Sequence, residues 1–117
     1  MDHVFYFEGN NEKISWKIET GESIAKQNRE HVQMYKNKVT DLQSKYIALH
    51  VGLFWAIGVF IIKNEDSIKV KCDEKVMFEH FKFDKEINDE FIKNRMQFIK
   101  QLISQRKLKM DFELIES

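Results

Sequence analysis

The 117-residue chain contains no proline, a single cysteine and only four glycines, and its nineteen basic side chains are cancelled by nineteen acidic ones. Each shortage closes off a class of protein. One cysteine, Cys72, cannot form an internal disulfide or a zinc site built on paired thiolates, so a reducing, cytoplasmic setting is expected. A net charge of zero leaves no global field to draw the chain to nucleic acid or to an anionic membrane, so any nucleic-acid contact has to come from a local patch or a site. There is no glycine-rich phosphate loop, and no serine–histidine or cysteine–histidine constellation suggests a nucleophile. The missing prolines remove a common marker of element boundaries. The opening "MDHVFYFEGNNEK" is mixed and strand-like, without the basic region, apolar stretch and small-residue cleavage site of a secretory leader.

What is present reads as one folded domain over residues 1–117, long enough for a single core, since 43% hydrophobic and 32% charged residues is an ordinary globular balance. The apolar run "YIALHVGLFWAIGVFII", residues 46–62, is interrupted by His50 and flanked by Lys45 and Lys63. A spanning helix needs about 20 apolar residues, so this run is expected to be a buried central helix, with no membrane partner. His50 on that helix reads as a hydrogen-bonded core histidine rather than a ligand, because no second histidine stands at helical spacing from it.

The periodicity gives an order of elements. "HVFYFEG" (3–9) is nearly continuously apolar until Glu8 and predicts a strand buried on both faces. "KISWKIET" (13–20) alternates, and "ESIAKQNREHV" (22–32) returns after the "TGE" turn as a weaker third strand. Thr40 or Asp41 can cap a helix running to about Ile57, with Gln43 as capping-box partner of Thr40 and Gly58 as a left-handed end. "IKVKC" alternates as a fourth strand; from Asp73, Val76, Met77, His80 and Phe81 fall on one helical face, and Asp73 can cap that helix. A further helix opens at Asn88 with Asp89 and Glu90 in its first turn, carries Ile92, Met96, Ile99 and Ile103 on one face, and gives way to "KMDFELI" as a strand. Three antiparallel strands followed by a crossover to parallel ones make an α/β fold, with helices on the faces of a mixed sheet.

Element order and local sequence together resemble type I ribonuclease H. "YFEG" stands where that family's first strand ends in an acid followed by glycine. "TDLQSKYIAL" (40–49) aligns with the family's T-N-N-x-A-E-Y-x-A-L, "GLFWAI" with G-L-x-W-A-I, and "CDEKV" with D-S-x-x-V. The resemblance covers most of the chain and implies a ribonuclease H-like, mixed five-stranded sheet flanked by helices. No basic handle helix like that of the bacterial enzymes is evident.

That family cuts the RNA strand of an RNA/DNA hybrid with two divalent ions held by four carboxylates, because paired hard cations need many oxygen ligands. Carried over residue by residue, the resemblance makes Glu8 and Asp73 the catalytic and metal-binding candidates, with magnesium or manganese as cofactor if the chain is active and none otherwise. The helix acid falls on Lys45, and the chain ends at Ser117 before the last acid. A normal two-metal site is therefore not expected, and the sharper expectation is that the Lys45 ammonium sits between Glu8 and Asp73 as a fixed charge in place of an ion. Asp41, one turn before Lys45, and Glu74 could partly compensate for the missing acids, but Asp41 points from the helix start and Glu74 is expected to face away from Asp73. A basic stripe, "KNRMQFIKQLISQRKLK" (93–109), puts Lys93 and Lys100 on a polar helical face that could meet phosphates, against the plainer reading of a solvated face.

Three readings follow: a ribonuclease H-like module with a degenerate catalytic centre that binds nucleic acid or a protein; a divergent metal-dependent ribonuclease H acting on RNA/DNA hybrids; and an assembly domain whose exposed sheet edge pairs with a protein partner.

Overall fold

In a computed structural model that describes residues 1–115, five strands and three helices follow in the order β1 (Asp2–Gly9), β2 (Lys13–Thr20), β3 (Ser23–Glu30), α1 (Asp41–Gly58), β4 (Ser67–Cys72), α2 (Lys75–Lys82), α3 (Glu90–Arg106) and β5 (Lys109–Leu114). The strands form one sheet in the order β3-β2-β1-β4-β5. β1, β2 and β3 pair antiparallel, whereas β4 pairs parallel with β1 and β5 parallel with β4. Parallel neighbours need a crossover, and α1 supplies it between β3 and β4.

Strand alternation decides what is buried. Phe5 and Phe7 of β1, Ile14, Trp16 and Ile18 of β2, and Ile68, Val70 and Cys72 of β4 turn to the core, where Tyr46, Leu49, Leu53 and Ala56 of α1 are fully buried. Phe81 of α2 stacks on Phe112 of β5 at 4.2 Å between ring centroids, so α2 covers the same face, and α3 packs on α1. The helices expected on both faces thus lie on one, and this changes the reading of β1. It is not buried on both sides: Val4 and Tyr6 are half-buried on the open face, where the Lys17 ammonium sits 4.2 Å from the Tyr6 ring centroid.

Local signals fix the helix starts. The Thr40 hydroxyl accepts from the Gln43 backbone N–H and the Gln43 side chain accepts from the Thr40 N–H, each at 3.0 Å, a complete capping box. Asp89 caps α3, its carboxylate accepting from Phe91 and Ile92. The end of α1 differs from expectation: Gly58 is helical and the left-handed residue is Phe60, with φ 65°. On α2, Met77 and His80 are buried but Val76 is 46% exposed, because a helix of only eight residues presents a narrow inner face. His80 also pairs with the Tyr46 hydroxyl. Burial disfavours the charged forms of both, pushing His80 down and Tyr46 up, so the pair stays neutral.

Two further polar groups tie the layers together. His50 accepts through Nδ1 from the Arg95 guanidinium of α3 at 2.9 Å, hydrogen-bonded as expected but half-buried against Phe98 at the margin of the core rather than within it. His3 bridges the Thr20 hydroxyl and the Asp66 carboxylate at 2.6 and 2.8 Å. Burial works against the Asp66 charge, but His3, the Lys63 N–H and the α-amino group outweigh it and hold Asp66 down at about 2. No helix is long and apolar enough to cross a membrane among the described residues.

Candidate functional site

The parallel register of β1 and β4 creates the site. Tyr6 lies opposite Lys71 in the last paired step, and just beyond it Glu8 and Asp73 line one cleft at the carboxyl ends of these adjacent strands. Gly9 lets α1 come down onto this edge. A Cβ built on Gly9 would lie 2.6 Å from the Ser44 hydroxyl oxygen and 2.8 Å from both the carbonyl carbon and oxygen of Ser44, so only glycine permits the approach. Ser44 is completely buried, and its hydroxyl meets His31 Nε2 at 2.7 Å, pinning the segment after β3 to the same point.

Lys45, next along α1, reaches across the edge. Its ammonium lies 3.4 Å from Asp73 Oδ1 and 3.4 Å from Glu74 Oε2. The Glu74 contact has hydrogen-bond geometry; Asp73 Oδ1 is buried and accepts no hydrogen bond, so the ion pair with Lys45 is what compensates its charge. Burial opposes the Lys45 charge, but the Asp73 and Glu74 carboxylates more than offset it and raise its pKa above the ordinary lysine value. The stabilisation is therefore full below the unfolded-state value and is lost only as pH rises through the higher folded-state one, well above neutrality. Glu8, Lys13, Lys45 and Asp73 line one cleft of about 230 Å³, and a neighbouring depression shares Glu8 and Ser15 with it.

Three expectations are corrected here. The Lys45 ammonium does not sit between Glu8 and Asp73: its ion pairs are with Asp73 and Glu74, and Glu8 only lines the same cleft, because alternation along β1 turns its side chain to the open face. Asp73 does not cap α2: that helix begins at Lys75, Glu74 occupies the N-cap position without a side-chain hydrogen bond, and the Asp73 side chain turns to Lys45 instead. Nor does Glu74 face away. β4 ends at Cys72, so strand alternation no longer governs residues 73 and 74, and both reach the same ammonium. The sequence signal for Glu74 was its place in "CDEKV", where the resemblance has serine.

The remaining candidates lie elsewhere. Asp41 is exposed at the start of α1 and does not line the cleft. Lys93 and Lys100 sit on α3, paired with Glu90 at 3.6 Å and Asp84 at 3.3 Å, as a solvated face would be. Lys13, which sequence reasoning missed, joins the cleft because Asn10 closes the β1–β2 turn, accepting from the Glu12 and Lys13 backbone N–H groups at 2.9 Å each.

A pair of divalent ions would need more oxygen ligands than the described residues of this edge bring together. Among the described residues no group of three or more His, Cys, Asp and Glu side chains is placed to share an ion. The carboxylates that do converge are neutralised by Lys45, so the residues present do not fit the two-metal group.

No family model and no curated protein matches the sequence. Solved structures do match the fold. An RNase H1 from Halobacterium salinarum superposes with a TM-score of 0.79 at 17% identity, over 99% of this chain and 86% of that one. The N-terminal RNase H domain of a Mycobacterium tuberculosis protein gives 0.76 at 16%, over 100% and 88%. LC11-RNase H1, solved in complex with an RNA/DNA hybrid, gives 0.75 at 14%, over 97% and 85%. The chain has the ribonuclease H-like fold. Within that fold its candidate site is the Glu8, Lys45, Asp73 and Glu74 cluster at the sheet's carboxyl edge.

Proposed function

We propose that this chain is a ribonuclease H-like module in which the Lys45 ammonium holds the place of a divalent ion and which engages nucleic acid without cutting it. The observation that carries the reading is the position of Lys45 Nζ, 3.4 Å from both Asp73 and Glu74 in the cleft that Glu8 also lines. A fixed ammonium neutralises the carboxylates and so holds the edge together, but it cannot lower the pKa of a water or stabilise a leaving oxygen as an ion pair does. Scission is lost while the surface that carries it is kept.

The partner that this reading favours is a duplex containing RNA, such as the hybrid bound by LC11-RNase H1. With no net charge on the chain, affinity has to come from local cations: Lys13 and Lys45 at the cleft, and Lys93 and Lys100 on α3. The pairs of Lys93 and Lys100 are exposed, worth little to stability, and exchangeable for phosphate contacts.

Binding of labelled RNA/DNA hybrid, DNA duplex and single strands at two salt concentrations, with magnesium or manganese present, tests the proposal. The expected outcome is hybrid binding that weakens as salt rises, with the RNA strand intact. RNA cleavage that disappears on Asp73→Asn would instead establish a divergent metal-dependent ribonuclease H. Absence of both binding and cleavage would leave a protein partner as the reading to pursue.

A further inference from the structure

β3 is an edge strand of the sheet, and its outer side is largely exposed, Ser23, Ile24, Lys26, Asn28, Arg29 and Glu30 all being open to solvent. Such an edge offers unpaired backbone N–H and C=O groups to another strand. The side chains on it are poorly satisfied within the chain. Lys26 stands directly opposite Lys17 of β2, a like-charge pair, and makes no ion pair among the described residues. Glu30 has only Lys36 at 3.6 Å, and its side chain remains 79% exposed.

We infer that the outer edge of β3 docks a second copy of this chain, antiparallel, with Asn28 of both copies on the two-fold axis. An antiparallel pair across a two-fold always sets one residue opposite itself, because opposed side chains point to the same face. With the axis on Asn28, Lys26 of each copy faces Glu30 of the other, giving an opposite-charge pair on each side of two facing amides. The neighbouring registers lack this. An axis on Gln27 sets Glu30 opposite Ile24 and Lys26 opposite Asn28, with no ion pair. An axis on Lys26 brings two ammonium groups together, and an axis on Arg29 brings two guanidinium groups together. Lys26 thus repels most incoming strands while matching this one, and the acid of the second copy relieves its conflict with Lys17.

An edge contact of this length is smaller than the roughly 1,200–2,000 Å² of a stable interface, so the dimer is concentration-dependent. Sedimentation velocity across micromolar to millimolar protein should show the mass rising from that of one chain towards that of two. Lys26→Glu and Glu30→Lys, both at exposed positions and checked for folding by circular dichroism, should each weaken self-association about ten-fold. Mixing the two variants restores an opposite-charge pair on both sides of the axis and should bring the dimer back. A wild-type chain that stays monomeric throughout, a Lys26→Glu chain that dimerises like wild type, or a mixture no stronger than either variant alone would each overturn the inference.

Discussion

Replacing Lys45 with glutamate should convert an internally neutralised edge into one that depends on a divalent ion. The substitution removes the cation facing Asp73 and Glu74 and adds a carboxylate to a cleft that already holds Glu8. Breaking a fully buried ion pair costs about 3–5 kcal/mol; here the Asp73 and Glu74 side chains keep 26% and 36% of their exposure, so water screens the loss and about 2–3 kcal/mol is expected in a chelator. Magnesium or manganese should then restore much of it, because an ion that binds only the folded state at about a hundred times its dissociation constant returns about 2.7 kcal/mol. Thermal unfolding of Lys45→Glu with and without metal checks this. A variant that is destabilised but indifferent to both ions would mean that the acids do not converge on one point.

Gly9→Ala is expected to be the most damaging single-methyl substitution at the site. The added Cβ would meet the Ser44 backbone at 2.8 Å, and a backbone inside α1 cannot rotate away as a flexible side chain would. Either the end of β1 or the first turns of α1 must move, at a cost of about 2–3 kcal/mol. For a chain of this size that lowers the melting temperature by roughly 8–12 °C. The movement would also part Glu8 from Lys45, since the two flank the glycine's contact with Ser44. Gly58→Ala is the matched control: nothing lies within 4 Å of its added Cβ, and helix propensity favours the change by about 0.5–1 kcal/mol. Equal melting temperatures for the two variants would contradict the close approach.

The contrast between these positions shows what could be read from the sequence. Thr40 with Gln43 and the alternation of Ile14, Trp16 and Ile18 are local signals that appear in the structure as read, whereas Asp89, read within the first turn of the last helix, is the N-cap of a helix that starts at Glu90. Element order with the ribonuclease H resemblance led to the five-stranded mixed sheet. What failed depended on tertiary context. The run in β1 could not reveal that its second face is open, because a half-buried Val4 and Tyr6 look like core residues in one dimension. Gly58 and Phe60 exchanged roles at the end of α1, where propensity favours the glycine but packing sets the path. At the site, the resemblance singled out Glu8, Lys45 and Asp73, whereas Glu74 and Lys13 enter through the end of β4 and the β1–β2 turn, which no alternation rule reaches.

The central claim is that a lysine ammonium occupies the place of an ion. The wild-type chain titrated with magnesium, and separately with manganese, while the carboxyl carbons of Glu8 and Asp73 are followed by NMR, tests it most directly. The account predicts no saturable change at either residue, the Lys45 pair with Asp73 persisting throughout. Stoichiometric, saturating shifts at both carboxylates would contradict it.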